Sequence, residues 1–218
     1  MTFNQERQGF HTLRTGFGRI RSDFEKAVAR LFAQFDTRIR ENRFVVGGAL
    51  EIILGAAFRA CGVKVLHRGA TEAFWDLILE GEEGGYSVKS MLKTSMLKTS
   101  ATRLINVLGR RPSVQDWQAA TLFLIPSGIV YADPALPWWQ KNASRVIRVR
   151  SDALEISRSR IEEFAQRHPE WIIECSLPAH QARREERIPG RTVSSQLAAQ
   201  ILMEIGGSLF QHLPPLLE

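Results

Sequence analysis

Cysteine is scarce in this chain, and the two that it has, Cys61 and Cys175, form no metal-like spacing. This excludes a zinc module built on cysteine pairs and favours a reduced, cytoplasmic protein. Long apolar runs are also missing, since none approaches the roughly 20 residues of a transmembrane helix. No secretory signal is visible among the first residues. We therefore expect a cytoplasmic protein that has no membrane partner.

Acidic residues are outnumbered, with 23 Asp and Glu against 29 Lys and Arg, which gives a net charge of +6 and a pI near 9.8. A basic balance favours a polyanionic partner. The length of 218 residues suits one domain with a sizeable core. Hydrophobic residues at 44% and charged residues at 24% are typical of a globular protein. We therefore expect one domain over residues 1–218.

The central stretch of the chain has two apolar runs, 74–80 and 86–92, around a glycine-rich loop at 81–85. Short β-rich runs joined by such a loop predict a β-hairpin. Because alternate residues of a strand share a face, one register puts Asp76 and Lys89 on the same face. Charges in buried strands are costly unless they are paired or bound to metal. The pair is therefore either an ion pair at the sheet edge or a site where the carboxylate holds a divalent cation beside the lysine.

A nearly all-apolar segment precedes the hairpin and predicts a buried helix over about 45–61. Its only acidic residue is Glu51. A buried carboxylate in such a helix is either paired or functional. Arg40 and Arg43 are the partners that we expect if Glu51 is only a core residue. The glycines of this helix would weaken it unless close packing compensates for them.

The hairpin reads Trp-Asp at 75–76 and Ser-Val-Lys at 87–89. This pattern resembles the PD-(D/E)xK nuclease superfamily in the Ser-x-Lys variant of some type II restriction endonucleases, including the group that cuts GGCC- and CCGG-centred palindromes. Tryptophan stands in place of the family's proline, and serine in place of its usual Asp or Glu. Those relatives also carry a glutamate after the lysine, where this chain has Thr102 and Arg103. The resemblance covers about 45–130.

The resemblance implies a Mg²⁺-dependent site. Many of these nucleases carry a glutamate on the helix before the catalytic hairpin, and Glu51 occupies that place. Asp76, Glu51 and the carbonyl of Val88 would hold Mg²⁺, and the hydroxyl of Ser87 would hold a water. Lys89 would orient the nucleophilic water and offset charge in the transition state.

A basic stretch follows the lysine, in which the pentapeptide SMLKT occurs twice, at 90–94 and 95–99, and no acid appears until Asp116. We predict a helix here that begins near 95 or 100 and ends at Gly109. In the resembling enzymes such a segment reads the recognition sequence, although a solvated basic face is the alternative. The residues that we expect to contact DNA phosphates and base edges are Lys93, Thr94, Ser95, Lys98, Thr99, Arg103, Arg110 and Arg111.

The rest of the chain is expected to complete an α/β fold. Before the hairpin we predict a basic N-terminal arm or frayed terminus at 1–21, a helix from a Ser22–Glu25 capping box to about Arg40, and a strand at 63–67. After the basic stretch we predict strands at 121–125, 129–131, 146–149 and 171–175, with a tryptophan-bearing loop at 132–142 and a helix that Asp152 and Glu155 cap and that runs to Arg167. A charged linker at 180–191 and a C-terminal helix within 191–213 are expected to end the chain.

These expectations together describe an α/β protein with a mixed central β-sheet flanked by helices and a restriction-endonuclease-like core. The expected function is a Mg²⁺-dependent, site-specific endonuclease that hydrolyses double-stranded DNA as a type II restriction enzyme. A palindromic site implies a homodimer, or a tetramer. The alternatives are a DNA-repair or junction nuclease and a non-catalytic DNA-binding module of the same fold.

Overall fold

The computed structural model describes residues 2–35, 40–68, 75–92, 101–107, 109–179 and 193–217, except for the side chains of residues 40 and 41. The helices within these ranges are α1 Asn4–Gly16, α2 Arg21–Gln34, α3 Arg40–Ala60, α4 Pro137–Val146, α5 Arg158–Arg167 and α6 Ser194–Ile205. The strands are β1 Val65–His67, β2 Leu77–Leu79, β3 Gly85–Ser90, β4 Ala101–Asn106, β5 Ala120–Ile125, β6 Gly128–Ala132, β7 Ile147–Val149, β8 Ala153–Ser157 and β9 Ile172–Glu174.

The strands form two sheets within the described residues. The larger has six strands in the order β1-β2-β3-β5-β6-β9, and the smaller has three in the order β4-β8-β7. In the larger sheet β3 and β5 run parallel, whereas the other neighbouring strands run antiparallel. The predicted mixed sheet flanked by helices is therefore present. Strands β5 and β6 confirm the predictions at 121–125 and 129–131, and β9 confirms a short strand within 171–175.

The predicted hairpin is present as β2 and β3, with Leu77 opposite Tyr86 and Ile78 opposite Gly85. Gly85 is needed here because a Cβ at this position would lie 2.3 Å from the carbonyl oxygen of Leu77. The other side of β3 pairs with β5, every residue of which is buried. Strand β3 therefore lies inside the sheet, and β2 and β1 complete the sheet on its far side.

Helix α3 covers the sheet face that carries Tyr86, whose ring stacks on that of Phe58 at a centroid distance of 5.0 Å. It begins at Arg40, earlier than predicted. The expected close packing at its glycines is found at Gly48, where a Cβ would lie 2.5 Å from the hydroxyl of Ser194 on α6. The predicted C-terminal helix is thus a core element that packs against α3.

The prediction of a basic arm over residues 1–21 is wrong, because helix α1 occupies most of this segment. Phe10 and Leu13 share one helical face and are fully buried. Arg7 on the same helix makes two hydrogen bonds, of 2.8 and 2.9 Å, to the buried carboxylate of Asp133. The N-terminal segment is therefore part of the core.

The predicted capping box at the start of α2 does not form. Ile20 holds the N-cap position and provides no side-chain hydrogen bond. Glu25 instead accepts a hydrogen bond of 2.7 Å from the backbone N–H of Ser176. The helix ends at Gln34, earlier than predicted, and the backbone is extended at the next residue.

The helix predicted to end at Gly109 is also wrong in its described part, since residues 101–106 form strand β4. Thr102 pairs with Ile156 and Arg103 with Glu155 of β8. Glu155 was itself predicted to cap a helix together with Asp152. It lies within a strand instead, because β8 has neighbours on both sides, and helix α5 begins only after it.

The tryptophan-bearing segment predicted as a loop at 132–142 is helical from Pro137 onward. Proline suits the first turn of a helix because its fixed φ and missing N–H cost nothing there. Trp139 is fully buried and packs edge-on against Trp117 at 5.2 Å. Trp139 therefore anchors the core. None of the helices in the described ranges is long and apolar enough to cross a membrane.

Candidate active site

The candidate site lies where β2 begins and β3 continues past it. The N–H of Asp76 donates to the carbonyl of Tyr86 at 2.9 Å, and β2 starts at the next residue. In a strand the N–H and C=O groups of alternate residues point to the same side. The N–H of Val88 therefore also points toward Asp76, and it donates to Asp76 Oδ2 at 2.6 Å. The Asp76 side chain thus continues the hydrogen-bonding ladder beyond the end of the strand.

Two further side chains of β3 meet the same oxygen. The hydroxyl of Ser87 donates to Asp76 Oδ2 at 3.2 Å, and Lys89 Nζ lies 3.8 Å from it. The structure thus brings together Asp76, Ser87 and Lys89, three of the four residues that we expected to be catalytic. The side chains of Asp76 and Lys89 are 29% and 24% exposed, so both are accessible to a ligand.

The fourth expected residue, Glu51, lies on α3 and makes its described contact with a different residue. Its Oε2 lies 3.0 Å from His67 Nε2 at the end of β1. Burial raises the pKa of Glu51, and the negative charge of Asp76 raises it further. The hydrogen bond from His67 and the positive charge of Lys89 lower the pKa and so oppose this shift. The charges of both hairpin residues therefore act on the pKa of Glu51. Its described partner is a histidine, whereas an arginine was expected; the side chain of Arg40 lies outside the described residues.

His67 is the site residue that sequence reasoning missed, because no motif around it points to a partner. The alternation of β1 was the available signal. Val65 is fully buried, and alternate residues share a face, so His67 two positions later points to the same side as α3. A histidine on that face needs a polar partner, and Glu51 is the acidic residue of the apolar segment at 45–61.

The oxygen atoms at the site suit a hard divalent cation. Among the described residues no three His, Cys, Asp or Glu side chains group as metal ligands. Mg²⁺, however, is commonly held by one or two carboxylates and keeps several waters. The hydrogen bonds described above are made to one oxygen of each carboxylate, Oδ2 of Asp76 and Oε2 of Glu51. The carbonyl of Val88 points to the same side of β3 as its N–H, toward Asp76.

Asp76 and Lys89 line a cleft of about 580 Å³, whose lining also includes two arginines and Asp116. Arg103 and Arg110 both line this cleft. Arg110 makes two hydrogen bonds to the carboxylate of Asp116, and they hold the pKa of that carboxyl well below its usual range. Its guanidinium is therefore held in one orientation at the mouth of the cleft.

The other residues expected to contact DNA are only partly covered by the structure. Arg111 is exposed next to Arg110. Lys93, Thr94, Ser95, Lys98 and Thr99 lie outside the described residues. The wall that carries Arg103 is a strand of the smaller sheet, so the arginine is presented by β-structure and not by the helix that we predicted.

The chain matches no protein-family model, no curated protein and no solved structure. The class that the structure defines is a mixed α/β fold with a carboxylate–lysine cluster at the end of a strand.

Proposed function

We propose that this protein is a Mg²⁺-dependent endonuclease that hydrolyses phosphodiester bonds of double-stranded DNA at specific sites, in the manner of a type II restriction enzyme. The observation that carries the proposal is the contact of Asp76 with the backbone of Val88 and the side chain of Lys89 at the edge of a cleft that Arg103 also lines. Phosphodiester hydrolysis uses a carboxylate that can hold a metal ion, a positively charged side chain near the phosphate, and an open cleft that admits the substrate.

The roles of the residues follow from their contacts. Asp76, Glu51 and the Val88 carbonyl would hold Mg²⁺, which when bound acidifies a water and offsets charge on the phosphate. Lys89 orients the attacking water and stabilises the negative charge that develops on the phosphate oxygens. Ser87 and the N–H of Val88 hold the Asp76 carboxylate in place. His67 does the same for Glu51.

A site-specific enzyme of this class acts on a palindrome as a symmetric homodimer or tetramer, with one centre for each strand. The oligomer is part of the proposal and follows from the symmetry of the substrate.

The test is incubation with unmethylated phage DNA, with Mg²⁺ and with EDTA. We expect discrete fragments from the wild type only with Mg²⁺, since a site-specific enzyme cuts at a limited set of positions. Lys89→Ala and Asp76→Ala should each reduce the cleavage rate by about 10²–10³-fold or more, because each removes a group at the reacting phosphate. Their circular dichroism spectra should remain those of the wild type.

Lys141→Ala is the matched control, because Lys141 is an exposed lysine on α4. It should cut at the wild-type rate. Near-wild-type cutting by Lys89→Ala or Asp76→Ala would show that the hairpin is not the active site. A smear of products would indicate a non-specific nuclease.

A non-catalytic DNA-binding module is the second candidate, and two observations favour it. Ser87 offers Asp76 a neutral hydroxyl at a position where a third carboxylate would strengthen cation binding, and Glu51 is already engaged by His67. Intact phage DNA that is retarded in a gel, with or without Mg²⁺, would identify this function.

A further inference from the structure

The smaller sheet presents one polar face beside the active-site cleft. In its register Arg103 of β4 lies opposite Glu155 of β8, and Arg148 of β7 lies opposite the same Glu155. Directly paired residues of neighbouring strands share a face. These three residues therefore form one row across the sheet, which we call the arginine row.

A bulge in β4 keeps this face polar. The register shifts between Arg103 and Ile105, so that Leu104 is the extra residue in the strand. Leu104 is buried and Ile105 is half-buried, whereas Arg103 and Asn106 on either side are exposed. Bulges commonly re-aim side chains next to functional sites. The bulge here turns two consecutive apolar residues away from solvent and leaves polar side chains on the exposed face.

The charge of this face is positive. Arg150, which follows β7, pairs with Glu155 at 3.0 Å, and Arg103 lies 3.8 Å from Asp152. Arg148 is exposed, and no ion pair joins it to another described residue. Three guanidinium groups thus face two carboxylates, which leaves one positive charge in excess on this face.

The row is continuous with the candidate active site. Arg103 lines the same cleft as Asp76 and Lys89. Neighbouring strands are about 4.8 Å apart, so the row spans roughly 10 Å from β4 to β7. Long arginine side chains at this separation can both reach phosphates of one bound duplex.

We propose that the arginine row, together with Arg150, binds the phosphate backbone of substrate DNA next to the cleft. This inference rests on the proposed function, because it takes the bound polyanion to be the nuclease substrate. A protein partner fits this face poorly, because interface centres are apolar. The large exposed apolar side chains of the described ranges lie elsewhere, at Phe44, Val193, Met203, Phe210 and Leu217.

The test is the salt dependence of binding to a short fluorescein-labelled DNA duplex, measured by anisotropy in EDTA so that no cleavage occurs. Each phosphate contact contributes about 0.9 to the slope of log K against log salt. Arg148→Gln should lower the slope by about 0.9 and weaken binding roughly eightfold at 0.1 M salt, since one fewer counterion is released.

Arg30→Gln is the matched control, because it removes the same charge from α2, where Arg30 pairs with Glu204 of α6. It should leave the slope unchanged. Glu155→Gln should strengthen binding, because it removes a negative charge from the middle of the row. A tighter complex cannot result from a damaged fold, so this variant separates charge from stability.

A wild-type slope for Arg148→Gln, a slope change equal to that of Arg30→Gln, or no gain for Glu155→Gln would each overturn the inference. Cleavage is measured separately with Mg²⁺. If Arg148→Gln shows the expected slope and no variant or wild-type protein cuts DNA, the arginine row stands as a DNA-binding surface and the proposed nuclease function fails. If the wild type cuts and the slope of Arg148→Gln is unchanged, the nuclease function stands and the arginine row is not a DNA-binding surface.

Discussion

The substitution Glu51→Gln separates a metal ligand from a core residue. Burial raises the pKa of Glu51 in the folded protein. A carboxyl whose pKa is raised stabilises the fold below its ordinary pKa, and that contribution is lost as the pH rises through the folded pKa. At pH 8 without metal the ionised Glu51 therefore costs stability. Glutamine keeps the shape and a hydrogen-bonding oxygen for His67 but carries no charge to desolvate.

The expected result in EDTA at pH 8 is a melting temperature for Glu51→Gln equal to or above that of the wild type. The difference should vanish as the pH falls below the usual range of a glutamate. Mg²⁺ should reverse the order of the two melting temperatures, so that the wild type melts above Glu51→Gln. A ligand at one hundred times its Kd stabilises a protein by about 2.7 kcal/mol. For a chain of this size that corresponds to a rise of roughly 5–10 °C in the melting temperature.

Glu51→Gln should lose most of this rise, and its cleavage should need more Mg²⁺, because one of two carboxylates is gone. The assays are thermal melts and cleavage titrations over the same Mg²⁺ series. His67→Asn is a useful companion, since it removes the imidazole that holds Glu51 and leaves both carboxylates present. A lower melting temperature for Glu51→Gln in EDTA with full cleavage would refute the reasoning and make Glu51 a structural partner of His67.

Two predictions concern the frame around the site. Arg7→Ala should cost about 3–5 kcal/mol in the free energy of unfolding by urea, because it leaves the carboxylate of Asp133 buried without its cation. Arg14→Ala, on the exposed side of the same helix, is the control. An equal cost for both variants would contradict the argument. Gly85→Ala should lower stability by about 1–3 kcal/mol and impair cleavage, because its Cβ meets the Leu77 carbonyl at 2.3 Å. Gly18→Ala, which meets no atom within 4 Å, should leave both properties unchanged, and a tolerated Gly85→Ala would show that the hairpin can shift.

Local sequence signals predicted the hairpin, and one of its possible registers placed its two charges on the same face. The loop at 81–85 and the alternation on either side are short-range signals, and they brought Asp76 next to Lys89 as expected. Strands β5 and β6 were also predicted, because short apolar runs of strand length that are bounded by turn residues are typical of buried strands. Close packing at Gly48 also followed from the cost of glycine in a helix.

Long-range contacts, in contrast, fix the identity of β4 and of the N-terminal helix. Residues 101–106 combine three apolar residues with two polar ones and a single arginine, Arg103, and nothing local distinguishes a strand from a helix there. Strand β4 exists because β8, some fifty residues later, supplies its hydrogen bonds. Helix α1 is likewise held by distant partners: Arg7 finds the carboxylate of Asp133, and the carbonyl of Glu6 accepts the hydroxyl of Tyr86.

The partner of Glu51 shows the same division. The sequence predicted that a carboxylate in an apolar helix needs a partner or a function, because desolvating a charge is costly. It could not tell which residue would meet that need, since His67 comes beside α3 only when β1 pairs with β2. Signals within one turn or one hairpin are carried by neighbouring residues, whereas sheet order and helix docking depend on surfaces that come together only in the folded chain.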